Sequence, residues 1–172
     1  MNTQLRLATC YAMALAFSSP AFAQAVPANS ELARALVGAW RVTSYSQLDV
    51  ATGQVLYPVG EHPLGSIQFS PGGHMTLLVT ASGREKRTPP YSVADRAAIL
   101  DGLGSMYFGT YTVQGDKMTV HEVSALTPDN VGTDQVRIVE LKGNQLTLKN
   151  LPSLNKRTGK ISVTAISAER EE

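Results

Sequence analysis

The chain has 172 residues, with 15 Lys and Arg against 14 Asp and Glu. That near balance argues against a nucleic-acid partner, because phosphate binding needs clustered excess cations. A hydrophobic share of 43% with 17% charged residues is that of a globular chain, and the length suits one domain rather than two.

The N-terminus stands apart. Arg6 is the only charge in the first 30 residues, the apolar run Leu7 to Phe17 follows, and Ala21-Phe22-Ala23 supplies a small-x-small triplet. This pattern predicts a secretory signal over 1–23, cut after Ala23. The run falls short of the roughly 20 residues that span a bilayer. No later segment is apolar enough to span, so the expected product is periplasmic or secreted and is not inserted in a membrane. Leu7-Ala8-Thr9-Cys10 loosely resembles a lipoprotein box, but Cys10 sits inside the apolar run rather than after it. Cleavage removes Cys10, the single cysteine. Disulfides, thiolate catalysis and Cys-ligated metals are therefore excluded from the mature chain.

Residues 24–29 read as a flexible lead. Ser30 caps a brief helix, Glu31 to Leu36, which Gly38 ends, so that 24–35 precede a domain over 36–172. Short runs with period-two alternation follow: Trp40 to Gln47, Gln54 to Tyr57, Gly65 to Ser70 and His74 to Thr80, the last two flanking Pro71-Gly72-Gly73. The alternation stops between Ala81 and Gly104. Gly83 to Pro90 is a polar, Pro-rich loop. Ser92-Val-Ala-Asp95 then has the spacing of a reciprocal cap, and Val93, Ala97 and Leu100 share one face of a helix over about 93–101. Gly102 and Gly104 stop it.

Strand signals resume at Met106 to Val113, Lys117 to Ser124, Gln135 to Leu141, Gln145 to Asn150 and Ile161 to Ile166, with Gly-containing turns between the paired runs. Eight or nine strands joined mostly by tight turns predict an all-β, up-and-down antiparallel sheet. Such a sheet has two exposed edges unless it closes, and a closed barrel of this size can hold one small ligand. A two-sheet sandwich is the structural competitor.

Several segments together resemble the lipocalin-like domain family. Leu36-Val-Gly38-Ala-Trp40 has the Gly-x-Trp that opens the first strand of calycin barrels. Gly65-Ser-Ile-Gln-Phe-Ser-Pro71-Gly-Gly-His-Met75, Tyr107-Phe-Gly-Thr-Tyr111-Thr-Val-Gln-Gly115-Asp, Val120-His121 and Val131-Gly-Thr-Asp-Gln135-Val-Arg137 follow in the family's order. The likeness covers about residues 36–150 and implies a barrel with an internal cavity. Some members look like isomerases or cyclases. In calycins a C-terminal basic residue packs over the opening tryptophan. Arg170 is the position that could do so here, although Thr164-Ala165-Ile166 stands where the family often has an aromatic.

The candidate ligand-binding residues are Tyr107, Tyr111, His121, Gln135 and Arg137. Trp40 reads first as a plug at the closed end. His121 shares a face with Thr119 and Val123, while Val120 and Glu122 share the other. Pointing inward, His121 would be the natural proton carrier of the cavity; pointing outward, it is an ordinary polar residue. Arg137 alternates with Gln135 and Val139 and, if inward, offers a fork for a carboxylate or enolate oxygen. Tyr107 and Tyr111 flank Gly109 on one face and suit either a pocket wall or plain core. Tyr45 and Ser44 oppose each other, so only one points in. Arg84, Lys86 and Arg87 read as a solvated loop or, more sharply, an anion-attracting gate. His62, His74 and His121 lack ligand spacing, so no metal is expected. The few aromatics point to a mostly aliphatic cavity with a few polar anchors.

Three functions remain open, the blandest being a solid accessory barrel that acts through its surface. The first is a secreted module binding a small apolar or amphipathic molecule, with no cofactor. The second is a cofactor-independent isomerase or cyclase with His121 as acid or base and Arg137 and Tyr111 stabilising an oxyanion. The absence of a spaced acid–base pair favours binding.

Overall fold

The computed structural model describes residues 31–156 and 158–171. The leader over 1–23 with Cys10, the lead over 24–29 and the Ser30 cap lie outside the described residues. In chain order, α1 (Glu31–Leu36) leads into β1 (Gly38–Asp49) and the short β2 (Val55–Leu56). The β3 (Leu64–Phe69) and β4 (His74–Thr80) hairpin and α2 (Val93–Asp101) come next. Then follow β5 (Leu103–Gln114), β6 (Lys117–Ala125), a 3-10 turn over Pro128–Asn130, β7 (Asp134–Lys142), β8 (Gln145–Asn150), β9 (Ser153–Asn155) and β10 (Lys160–Arg170).

Eight strands, β1, β3 to β8 and β10, pair antiparallel in sequence order, and β10 returns to pair with β1 from Trp40 opposite Arg170 to Asp49 opposite Ser162. That last pairing decides against a sandwich: it closes the sheet and leaves no long edge unpaired. The strands run a few residues longer than the alternation predicts. At the closing seam, β10 extends to Arg170 because its backbone pairs with both β1 and β8. The two short strands β2 and β9 are appended to the ends of β1 and β10.

Connections sort by end. The hairpin turns at Pro71-Gly72-Gly73, Gly115-Asp116 and Gly143-Asn144 all lie at one end, where α1 also sits. The longer segments 50–63, 81–102, 126–133 and 151–159 lie at the other. One end is therefore tied shut by short turns, and the other is a mouth built from loops.

The closed end is packed solid. Trp40, Leu36, Ile67, Met75, Met118 and Leu146 are all fully buried there. Trp40 Nε1 donates to Leu36 O at 2.8 Å, and the Arg170 guanidinium lies 4.1 Å from the centre of the indole. Arg170 also donates to Val37 O at 2.9 Å and to Ala35 O, tying the end of α1 to the barrel floor. Gly38 is required at this junction. Its φ of 130° suits glycine, and an added Cβ would sit 2.9 Å from Arg170 Nη1. The Gly-x-Trp signature thus has a local cause: the glycine makes room for the cation that covers the tryptophan.

Two irregularities set which side chains face inward. In β1 the pairing shifts between Val42 and Ser44, so the buried series Trp40, Val42 continues at Tyr45 rather than Ser44. Between β5 and β6 the register shifts at Phe108 and Gly109, which brings Gly109 opposite Glu122. A Cβ on Gly109 would lie 2.0 Å from His121 O, so only glycine allows the two backbones to approach this closely.

The helical insertion forms over the predicted residues, with the Ser92 hydroxyl accepting from Asp95 N and the Asp95 carboxylate accepting from Ser92 N. Its apolar face is not buried, however: Val93 and Leu100 are both exposed. Arg84 donates to Ile99 O at 2.9 Å, and Arg87 pairs with Asp95 at 3.1 Å. These two loop cations tether α2 to the loop that precedes it.

Candidate functional site

The mouth is built by the upper turns of the strands. Tyr45 and Gln47 come from β1, Gln135 and Arg137 from β7, and Asn150 from β8. The 3-10 turn and the segment after it add Asp129, Asn130 and Thr133, and the end of β9 and the residue after it add Asn155 and Lys156. Together they enclose an open cavity of about 490 Å³. Its rim is cross-linked by polar contacts: Asn155 to Gln47 at 3.0 Å, Gln135 to Thr133 at 2.9 Å and Lys156 to Asp129 at 2.8 Å. The expected aliphatic lining is therefore incorrect. The alternating apolar residues fill the closed half completely, and the space that remains at the mouth is lined mainly by amides, hydroxyls and charges.

Beneath this mouth lie two smaller cavities. One, of about 60 Å³, is bounded by Ser105, Tyr107, Glu122, Asn130 and Arg137. The other, of about 90 Å³, is bounded by Tyr45, Ser105, Arg137, Asn150 and Thr164. Arg137 lines all three. It follows the parity of β7, in which Gln135, Arg137 and the buried Val139 share the inward face. Among the described residues its well-formed side-chain hydrogen bond is to Val136 O at 3.3 Å, with a weaker one to the Tyr107 hydroxyl. A guanidinium has five N–H donors, so most of its capacity is left for a ligand.

Glu122 is the unexpected member. It is only 1% exposed, and neither carboxylate oxygen has a well-formed hydrogen bond among the described residues. Burial pushes its pKa up, opposed by Asn130 and by the positive charge of Arg137. The Tyr107 hydroxyl is likewise buried with no well-formed hydrogen bond among the described residues, and its pKa is raised by burial, with the charge of Arg137 and a weaker hydrogen bond from it pulling the other way. Buried polar atoms are rarely left unpaired. Here two such groups and a guanidinium with spare donors converge on one small cavity.

Of the five candidate binding residues, the structure brings Gln135 and Arg137 to the mouth and Tyr107 to the smaller cavity beneath it. It does not bring His121 or Tyr111. His121 faces outward, half exposed, with Nδ1 2.8 Å from Asp134 Oδ1. Its neighbours in sequence, Val120 and Glu122, hold the inward face with Met118. An acid–base scheme built on His121 therefore has no proton carrier inside the barrel. Tyr111 is core: it packs edge-on to Phe69 at 5.1 Å between ring centres and donates to Ser70 O at 3.4 Å near the closed end. His74 stacks on Phe108 outside the barrel. Glu122 was available from the pattern, because two apolar residues at Met118 and Val120 fix the inward parity, which a carboxylate then continues. Tyr45 was not, because the bulge that turns it inward has no sequence mark.

The family comparison agrees with this architecture. A lipocalin-like domain matches residues 37–170. The chain belongs to the lipocalin-like domain family. A solved structure of a redesigned beta barrel is similar at 14% identity and a TM-score of 0.38, covering 81% of this chain and 95% of its own. No curated protein matches the chain. A lipocalin-like barrel with a lined mouth suits small-molecule binding. No helix among the described residues is long and apolar enough to cross a membrane.

Proposed function

We propose that this lipocalin-like protein is exported, loses residues 1–23, and holds one small amphipathic molecule in the barrel mouth. The head group carries oxygen and engages Arg137, while the remainder lies along the rim. The observation that carries this reading is the convergence of Arg137, Tyr107 and Glu122 at the base of a cavity of about 490 Å³ that opens to solvent. The mouth is lined mainly by amides, hydroxyls and charges, so its guest must carry polar groups of its own.

Native mass spectrometry of freshly purified protein, followed by thermal unfolding against a library of small amphipathic acids, ketones and alcohols, tests the reading. The expected result is a bound small molecule or a class of compounds that raises the unfolding temperature by mass action. Arg137→Ala should abolish the shift. A library without a stabiliser, together with a ligand-free spectrum, would reject it. Intact mass of the exported protein tests the leader: the chain should begin at Gln24.

A further inference from the structure

The cavity of about 60 Å³ beneath the mouth has a chemical signature of its own. At a liquid-water volume of about 30 Å³, it has room for two waters or for one planar head group. Facing it are a carboxyl group, a phenol and a guanidinium, the first two buried with no well-formed hydrogen bond among the described residues. If Glu122 were ionised, the site would carry Arg137 and a carboxylate and be neutral, with four acceptor lone pairs and little reason to admit an anion. With Glu122 protonated, the site is cationic and presents three kinds of donor: carboxylic O–H, phenolic O–H and guanidinium N–H. Three donors around a space this small fit a carboxylate, whose two oxygens accept from both sides.

We propose that Glu122, in its uncharged acid form, acts with Tyr107 and Arg137 as the receptor for the carboxylate head of the ligand, so that capture of the ligand keeps one proton on Glu122. This rests on the binding reading above and adds the head-group class and the proton linkage. No covalent step is involved. Where Glu122 is ionised before binding, the proton comes from solvent.

The groups facing Glu122 are few. Tyr107 on β5 and Arg137 on β7 border its cavity, and Asn130, which does not titrate, closes it from the 3-10 turn. Tyr45 on β1 lies beyond Arg137 in the adjoining cavity. Asp129 and Lys156 pair with each other higher in the mouth. His121 is next to Glu122 in sequence but points to the outer face, where Nδ1 meets Asp134, away from the cavity. Against this background a pH-dependent affinity that vanishes with Glu122 can be assigned to Glu122.

Octanoate and 1-octanol are the probes, titrated into the mature protein by calorimetry between about pH 5 and pH 9, with octanoate repeated in buffers of different ionisation heat. For the wild type, octanoate should bind more tightly than octanol. Its affinity should fall with rising pH, approaching about tenfold per pH unit once free Glu122 is ionised, with up to one proton taken up per ligand. Glu122→Gln mimics the neutral acid: it should bind octanoate within about threefold of the wild type at low pH, with a flat pH profile and no proton uptake linked to this site. Arg137→Gln should weaken octanoate at least about tenfold and octanol little. Thermal unfolding of each variant confirms that it is folded.

If Glu122→Gln shows the wild-type pH profile, or if octanoate and octanol bind alike, the assignment to Glu122 is overturned while the binding reading stands. Octanoate affinity indifferent to both substitutions would place the ligand elsewhere, for example in the apolar outer groove at Leu78, Met106 and Phe108, and would also overturn it. If neither probe binds, the carboxylate assignment to Glu122 falls, and the binding reading is decided by the wider library and the native spectrum.

Discussion

Arg170 joins the last strand to the first helix, and its removal should be felt across the closed end. Arg170→Met keeps the aliphatic stem and deletes the guanidinium. Two carbonyls at the end of α1, Ala35 O and Val37 O, then lose their donor. Hydrogen bonds to a charged group contribute about 1.5–3 kcal/mol each, and because this site is only part-buried, water replaces some of that, leaving about 1 kcal/mol apiece. The guanidinium over Trp40 adds about 0.5–1 kcal/mol. The expected loss is about 3 kcal/mol, which for a domain of this size lowers the unfolding temperature by roughly 10 °C. Arg170→Lys keeps charge but cannot fork to two carbonyls, so about half the loss should remain. Arg41 is the internal control. It pairs with Glu169 in the same stretch of the seam, but both side chains are exposed, so Arg41→Met should cost about 0.5 kcal/mol or less. Urea unfolding followed by circular dichroism measures all three. An Arg170→Met variant within about 1 kcal/mol of the wild type, or an Arg41→Met variant as damaged as it, would refute the argument that this cation clamps the floor.

Other outcomes follow from the same geometry. Burial raises the Glu122 pKa, so the folded state binds the proton more tightly than the unfolded one; stability is fullest below the unfolded pKa and declines as pH rises through the folded one, by at most about 1.4 kcal/mol per pH unit. Glu122→Gln should therefore be more stable than the wild type at neutral pH and lack that decline in urea melts across the same range. Asp49 behaves oppositely. The hydrogen bond from Lys160 at 2.7 Å, with support from Ala51 N and Thr52 N, holds its pKa down despite desolvation, so its contribution is present above the unfolded pKa and lost as pH falls through the folded one. Asp49→Asn should flatten the acid limb of the stability curve. Gly109→Ala drives a Cβ into the His121 carbonyl and should cost about 3 kcal/mol or more, whereas Gly104→Ala, with its nearest contact at 3.2 Å on the Val59 side chain, should cost about 1 kcal/mol. Equal urea midpoints for the two alanine variants would show that β5 and β6 can separate freely at the bulge.

The sequence by itself determined the strands and their hairpin pairing, while closure into a barrel rather than a sandwich was decided by the pairing of β10 with β1. Alternation over Gly65 to Thr80 and Met106 to Asn150 set the strands, Gly-containing turns set their hairpins, and the Ser92 and Asp95 pair set α2, because each depends only on residues within a few positions. It also carried the inward parity of Gln135 and Arg137, since Val139 two residues on marks the buried face. What the tertiary structure alone decided is where the empty space lies and which polar groups share it. A one-residue slip in β1 exchanges Ser44 for Tyr45, and only the packed strands bring Tyr107 and Arg137 to the same small cavity as Glu122. Side-chain period two is lost at a bulge, and nothing within the strand announces the loss. The floor likewise needed both chain ends. Arg170 reaches Trp40 across 130 positions only because β10 closes on β1. Helix and hairpin are local consequences of local residues, whereas a cavity is the remainder left after distant strands have packed, and the polar character of this one follows from how fully the apolar side chains filled the other end.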